Sequence, residues 1–257
     1  MGENLAGERL RSLTQGEVLS KLQLTQMTTV GIIGGIGPES TVEYYQYIIA
    51  GYRERTNDGS YPSIVINSVD LDRLVKWINA DEMEPFTDYL VAEVERLERA
   101  NVDLAVLAAN TAHIVFDQIS ARTSLPLVSI VEATRDKVQT LGLKRPGLFG
   151  TGFTMGARFY PDAFARAGLP IVTPNDEEKA FIHEKYFGEL LKSVFLPETR
   201  TRLLEIVDRM RERDNIDGLI LAGTELPLIL RASEHNGIPL LDTTKIHVER
   251  IVDRLLS

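Results

Sequence analysis

The sequence predicts an α/β protein of two pseudosymmetric lobes, each a parallel sheet with flanking helices. Three observations carry that prediction. Short apolar runs alternate with helical patterns along the chain, the signature of βαβ units. Motifs of the first half return in the same order in the second, a little over 110 residues later. No Gly/Ser-rich linker separates the halves, so the lobes are expected to be tightly joined.

The pattern starts at Thr28. TTVGIIGGIGP is an apolar run too short for a buried helix and suited to a buried parallel strand. STVEYYQYIIAGYRER reads as a helix, SIVINSVD as a strand, and 85–100 as a charged amphipathic helix. VDLAVLAAN is the next strand, a short helix follows Asn110, and LPLVSIV is a further strand. GIIGG, from Gly31, is then matched by GLFGT, from Gly147. VLAANTAHIV, carrying Ala109, is matched by LILAGTELPL, carrying Gly223; LPLVSIVEAT, carrying Pro126, is matched by IPLLDTTKIH, carrying Pro239. A helix follows each member of the last pair and is expected to cross to the other lobe. That gives a first lobe of 28–131 plus 241–257 and a second of 132–240. Helical patterns also cover 182–192 and 198–214, the latter a solvated surface. Residues 1–27 read as a polar, partly helical extension, either a loose tail or a leucine-bearing segment that packs on a partner subunit.

Composition narrows function. The chain has 257 residues, 44% hydrophobic and 25% charged, ordinary for a globular protein. Its net charge of −9, with no run of four Lys/Arg, argues against nucleic acid and anionic membranes as partners. Zero cysteines removes disulfides, thiol nucleophiles and Cys–metal sites, and fits a cytoplasmic protein. No stretch approaches the roughly 20 apolar residues of a membrane span, and the start lacks an apolar core of signal-peptide length. The four histidines form no H-x-x-x-H or H-E-x-x-H pattern, so no metal is expected.

Candidate site residues cluster at the expected strand ends, where ligands of open α/β sheets bind. GGIGPEST places Gly35 in a glycine-rich turn before a helix N-terminus; it is neither G-x-G-x-x-G nor a phosphate loop, and a plain tight turn is the alternative reading. AANTAH supplies Asn110, Thr111 and His113; AGTEL supplies Thr224 and Glu225; GTGFTMG supplies Thr151 and Thr154. Hydroxyls, amides and helix N-termini converging there would cradle a small carboxylate, although Asn and Thr also commonly serve as caps. His247 falls in a loop related to that of His113, and each reads equally as a packed residue. On 182–192, His183, Tyr186 and Glu189 share roughly one helix face, read either as a binding face or as core and solvent.

Together GIIGGIGPEST, AANTAH, LFGTGFT, LAGTELPL and LLDTT resemble the aspartate/glutamate racemase family, over essentially the whole chain from Thr28. The resemblance implies two pseudosymmetric lobes, an active site between them, a homodimer and no cofactor. In that family a cysteine precedes the first Asn-Thr and another precedes the second Thr-Glu. One thiolate removes the α-proton of an amino acid, and the opposite thiol returns a proton to the other face. Here Ala109 and Gly223 occupy those positions, and neither side chain moves a proton. The room they leave is expected to hold a water or a bulkier ligand. The resemblance further implies that Asn110, Thr111, Thr151, Thr154 and Thr224 hold the α-carboxylate and amino group, with Arg73 or Lys192 as partner for a distal carboxylate. Three functions remain open: an isomerase on a small amino acid or dicarboxylate using Thr111, His113 or Glu225 as substitute acid–base groups; a lyase or dehydratase needing one such group; and a non-catalytic carboxylate-binding homologue.

Overall fold

A computed structural model describes residues 27–257. The expected N-terminal extension thus lies outside the described residues, Met27 excepted. Sheet order in the first lobe is β2-β1-β3-β4, from β1 (Thr29–Gly34), β2 (Ser63–Ser68), β3 (Leu104–Leu107) and β4 (Leu127–Val128). All its pairings are parallel. In the second lobe β5 (Pro146–Gly150), β6 (Gly218–Ala222) and β8 (Ile238–Asp242) run parallel in that order. β7 (Glu234–His235) adds an antiparallel edge beside β8. Val172 bridges Gly147 in parallel and so takes the place beside β5 that β2 takes beside β1. The duplicated motifs are therefore duplicated strands: β1 with β5, β3 with β6, β4 with β8.

The helices follow from local chemistry. α1 (Pro38–Thr56) opens with proline at its start, where no amide is needed, and closes on Asn57 in the left-handed conformation. α2 (Leu71–Asn79) is capped by Asp70, whose carboxylate accepts from the amides of Asp72 and Arg73. α3 (Met83–Arg99) buries Phe86, Leu90, Val94 and Leu97 along one stripe. A 3₁₀ turn (Thr111–Val115) leads into α4 (Phe116–Arg122). α5 (Ile130–Thr140) starts at its Ser129 cap, which confines β4 to two residues. The longer strand expected over 125–131 is cut short for that reason.

In the second lobe α6 (Gly152–Gly156) and α7 (Phe159–Ala165) follow β5. α8 (Asp176–Gly188) has a reciprocal capping box between Asn175 and Glu178. It ends at Gly188, so the helix expected over 182–192 breaks, and 190–192 form a separate 3₁₀ turn. Glu189 consequently leaves the face of His183 and Tyr186 and pairs instead with Lys185 and Thr199. α9 (Pro197–Asp214) buries Leu203, Ile206, Val207 and Met210 and exposes its charges. α10 (Leu226–Leu230) and α11 (Thr243–Leu255) complete the chain.

The crossovers join the lobes. α11 packs with α1 on the first sheet, where Val248, Ile251 and Val252 meet Val30, Ile32 and Ile48. Reciprocally, Val131 and Val138 of α5 pack on Leu148 and Ile220 of the second sheet. Arg250 to Asp136 at 2.7 Å and Lys137 to Glu249 at 2.9 Å then tie α11 to α5 at the surface. No helix among the described residues is long and apolar enough to cross a membrane.

Candidate functional site

The carboxyl ends of β1, β3, β5 and β6 face a common cavity of about 470 Å³. Both lobes line it: Ile36 and Gly37 after β1, Ala109 to Ala112 after β3, Thr151 and Phe153 after β5, and Ala222 to Glu225 after β6. α2, which has no counterpart among the helices expected from sequence, contributes Leu71, Asp72, Leu74, Val75 and Ile78 to its wall. Phe86, Phe187 and Leu191 extend the apolar lining.

Of the sequence candidates, Asn110, Thr111, Thr151, Thr224 and Glu225 meet here, with Ala109 and Gly223 on the same cavity. The threonines form a hydroxyl cluster: Thr111 lies 3.3 Å from Thr151 and 3.2 Å from Thr154, which is itself fully buried behind them. Thr151 also caps α6, accepting from the amide of Thr154. Asn110 is spent on the interlobe joint. Its carbonyl accepts from the Tyr160 hydroxyl at 2.7 Å, and its amide donates to Thr243 at 3.0 Å.

Four other candidates lie elsewhere. Gly35 does not line the cavity; at φ +81° a Cβ there would sit 2.4 Å from the Val69 carbonyl, so glycine serves the close approach of the turn to the end of β2. Arg73 stacks over Trp77 and Tyr89, at 4.6 and 4.8 Å from the ring centres, away from the lining. Lys192 is likewise outside it, although its neighbour Leu191 is in it. His113 is buried behind the strand end: Nδ1 donates to the Ala109 carbonyl at 2.9 Å, and Nε2 accepts from the Ile130 amide at 3.2 Å. It borders a second cavity instead, together with Phe116, Arg158 and Arg166. Burial holds its pKa down at about 4, so its ring is neutral and structural. His247 is held at about 3, first by burial and then by the neighbouring His113; its ring nitrogens engage Tyr44 and the Val128 carbonyl.

Tyr186 enters the cavity from the helix face it shares with His183. Tyr186 of α8 fills the space in front of Gly223: a Cβ at 223 would lie 2.6 Å from both its Cε2 and its hydroxyl oxygen. The room expected beside Gly223 is therefore occupied by this ring. Its hydroxyl donates to the Glu225 carboxylate, which also accepts from Thr224 at 2.8 Å. Burial, followed by the Glu225 charge, pushes the Tyr186 pKa well above that of an ordinary phenol. Sequence periodicity put Tyr186 on a face but gave no sign of what that face meets; the signal was the glycine at 223, which demands a neighbour large enough to fill the gap.

Charge around the cavity is uneven. Among the described residues no Lys or Arg lines it, and the acids are Asp72 and Glu225. Asp72 is exposed and paired with Lys76 at 2.6 Å. Among the described residues no group of His, Cys, Asp and Glu is disposed to hold a metal ion.

Two duplicated α/β lobes closing on strand-end loops define a racemase-type architecture. A family model described as Asp/Glu/Hydantoin racemase matches residues 33–251, so the chain belongs to that family. It is 24% identical to the broad specificity amino-acid racemase RacX of Bacillus subtilis (strain 168), covering 89% of this chain and 98% of that protein. The crystal structure of an aspartate racemase homologue from Pyrococcus horikoshii OT3 superposes with a TM-score of 0.78 at 32% identity, over 90% of this chain and all of the other. A Yersinia pestis structure provisionally assigned as an Asp/Glu racemase gives a TM-score of 0.83 at 27% identity, again over 90% and 100% of the two chains. The fold and its relatives support an amino-acid racemase-like function.

Proposed function

We propose that the protein takes a small amino acid or related carboxylate into the interlobe cavity and carries out isomerase-like proton chemistry at its α-carbon without the two-cysteine mechanism. The ligand's α-carbon lies between Ala109 and Gly223, and the hydroxyls of Thr111, Thr151 and Thr224 face its polar end. The observation that carries this reading is the cavity itself, built by the carboxyl ends of duplicated strands and flanked by the two positions that resemblance assigns to proton transfer.

The lining refines the ligand. A distal carboxylate would find no cationic partner among the described lining residues, and burying an unpaired anion is costly. Leu71, Leu74, Val75, Phe153 and Phe187 offer an apolar compartment instead. An amino acid or monocarboxylate with an apolar side chain fits better than a dicarboxylate. A thermal-shift series with L- and D-phenylalanine, L- and D-leucine, phenylacetate, aspartate and glutamate tests both points. Ligand at 100 times its Kd adds about 2.7 kcal/mol to stability. Phenylalanine, leucine or phenylacetate are expected to raise the Tm more than aspartate or glutamate. No response to any of them would remove the reading.

A lyase or dehydratase acting on a small carboxylic acid is the second reading. It is favoured by one observation: the Gly223 flank carries a titratable pair, Tyr186 with Glu225, whereas the Ala109 flank has a methyl group and threonine hydroxyls. Consumption of a pooled set of small carboxylic acids, followed by mass detection, distinguishes it from isomerisation.

A further inference from the structure

The Tyr186 hydroxyl occupies the place of a side chain at position 223. A Cβ built on Gly223 would lie 2.6 Å from that oxygen, too close for non-bonded atoms, so the hydroxyl and a side chain at 223 exclude one another from the same space. The hydroxyl donates to Oε2 of Glu225, the same oxygen that accepts from the Thr224 hydroxyl at 2.8 Å. Both Tyr186 and Glu225 line the cavity, yet each is more than nine-tenths buried. Glu225 also lines a small crevice of about 10 Å³ together with Glu43 and the exposed Glu39.

We propose that Tyr186 is the proton-transferring group of the Gly223 flank, with Glu225 as its proton acceptor. This rests on the ligand position proposed above, with the α-carbon between Ala109 and Gly223. In the forward step the Cα–H bond of the bound amino acid breaks. Its electron pair stays on Cα and is delocalised into the neighbouring carboxylate as an enediolate. The released proton passes to the Tyr186 oxygen as the phenolic proton passes to Glu225, so no free phenolate forms. In the reverse step Tyr186 returns a proton to Cα and recovers one from Glu225. While the proton resides on Glu225 it exchanges with solvent.

Among the described residues the opposite flank has no comparable group. Ala109 is a methyl, the Thr111 hydroxyl is engaged with Thr151 and Thr154, and His113 points its Nδ1 at the Ala109 carbonyl. Proton removal and return therefore use one face of the carbanion. The chemistry this predicts is exchange of the α-hydrogen mainly with retention of configuration, with inversion the slower outcome.

The test incubates the full-length protein in D₂O with the L- and D-forms of phenylalanine, leucine, aspartate and glutamate. Mass and NMR detection follow deuterium at Cα, and chiral chromatography follows the antipode. At least one amino acid is expected to gain deuterium faster than its antipode forms. Tyr186→Phe keeps the ring in front of Gly223 and removes only the hydroxyl. It is expected to slow exchange by on the order of 10²-fold while leaving ligand-induced Tm shifts in place. Glu225→Gln, which keeps the shape and a partner for Tyr186, is expected to do the same. Exchange at the wild-type rate in Tyr186→Phe would overturn the assignment. So would the antipode appearing as fast as deuterium enters, or no exchange in the wild-type protein. Ligand-induced Tm shifts separate the two proposals: shifts without exchange leave the binding reading standing, and neither shifts nor exchange removes both.

Discussion

Gly223→Ala is expected to lower the Tm by roughly 3 to 10 °C, and Gly223→Cys by at least as much. The added Cβ would meet Cε2 and the hydroxyl of Tyr186 at 2.6 Å and Cζ at 2.9 Å, separations that non-bonded atoms do not tolerate. The obstacle is a ring rather than the tip of a flexible chain. Tyr186 is buried in the second lobe's core with Ile182, Leu190 and Leu203 and is anchored by Glu225. Overpacking of this kind costs about 1–3 kcal/mol, and for a chain of this size each kcal/mol moves the Tm by about 2–4 °C. Tyr186→Phe should relieve little, because the clash includes ring carbons. Tyr186→Ala should relieve it. That variant alone loses about 3–5 kcal/mol as a large-to-small core change, but combined with Gly223→Ala it should be less destabilised than the sum of the two. A double-mutant cycle from urea melts measures the coupling, and strict additivity would show that the ring yields without cost.

The same geometry makes the two positions unequal. Ala109 already carries a Cβ and faces open cavity, so Ala109→Cys is expected to be accommodated. Introducing thiols at both positions is blocked on one side only. Tyr186 is therefore part of what separates this chain from a two-thiol arrangement, and glycine at 223 is a packing requirement rather than a simple truncation.

Much of this arrangement was legible in the sequence. The offsets between Gly31 and Gly147, Ala109 and Gly223, and Pro126 and Pro239 reflect strands that are paired in sequence and equivalent in space. Duplicated strand ends in parallel sheets open on the same side, so Asn110, Thr111, Thr151, Thr224 and Glu225 group together from the sequence alone. Side-chain direction could not. His113 lies three residues from Asn110, but its ring turns back to bond its own strand end. Arg73 lies on the helix that lines the cavity, yet it stacks on Trp77 and Tyr89 one turn and one helix away. α2 was not legible because LDRLVKWIN is short and its cap, Asp70, reads as the end of the SIVINSVD strand. Tyr186 is remote in sequence from Gly223 and Glu225. What links them is the space in front of Gly223 and the hydrogen bond to Glu225.

Stability is expected to fall as pH drops from about 6.5 toward 4, before the paired carboxylates titrate. His113 and His247 are buried and neutral, with pKa values held at about 4 and about 3. In the unfolded chain both titrate near 6.5. Between these limits the unfolded state binds protons that the folded state does not, so lowering the pH favours unfolding. At 1.36 kcal/mol per pKa unit, His113 alone removes about 3 kcal/mol by pH 4, and His247, coupled to it through their mutual charge, adds to the loss. The carboxylates of Asp136, Glu178 and Asp208 are held below their ordinary range by arginine and other partners. Their stabilisation is lost only as pH falls below that range, so the histidines dominate the upper window. His113→Asn retains a donor for the Ala109 carbonyl, and His247→Gln retains one for Val128. Each should lower stability at pH 7 through its lost second bond, yet flatten the dependence between pH 6.5 and 4.5. Urea melts across that range measure the slope. A slope unchanged in both variants would mean that the histidines are not the groups whose protonation opens the joint between the lobes. That joint is where their contacts lie: His247, on α11, bonds Tyr44 and Val128 of the first lobe, and His113 holds the start of α5 as it crosses to the second.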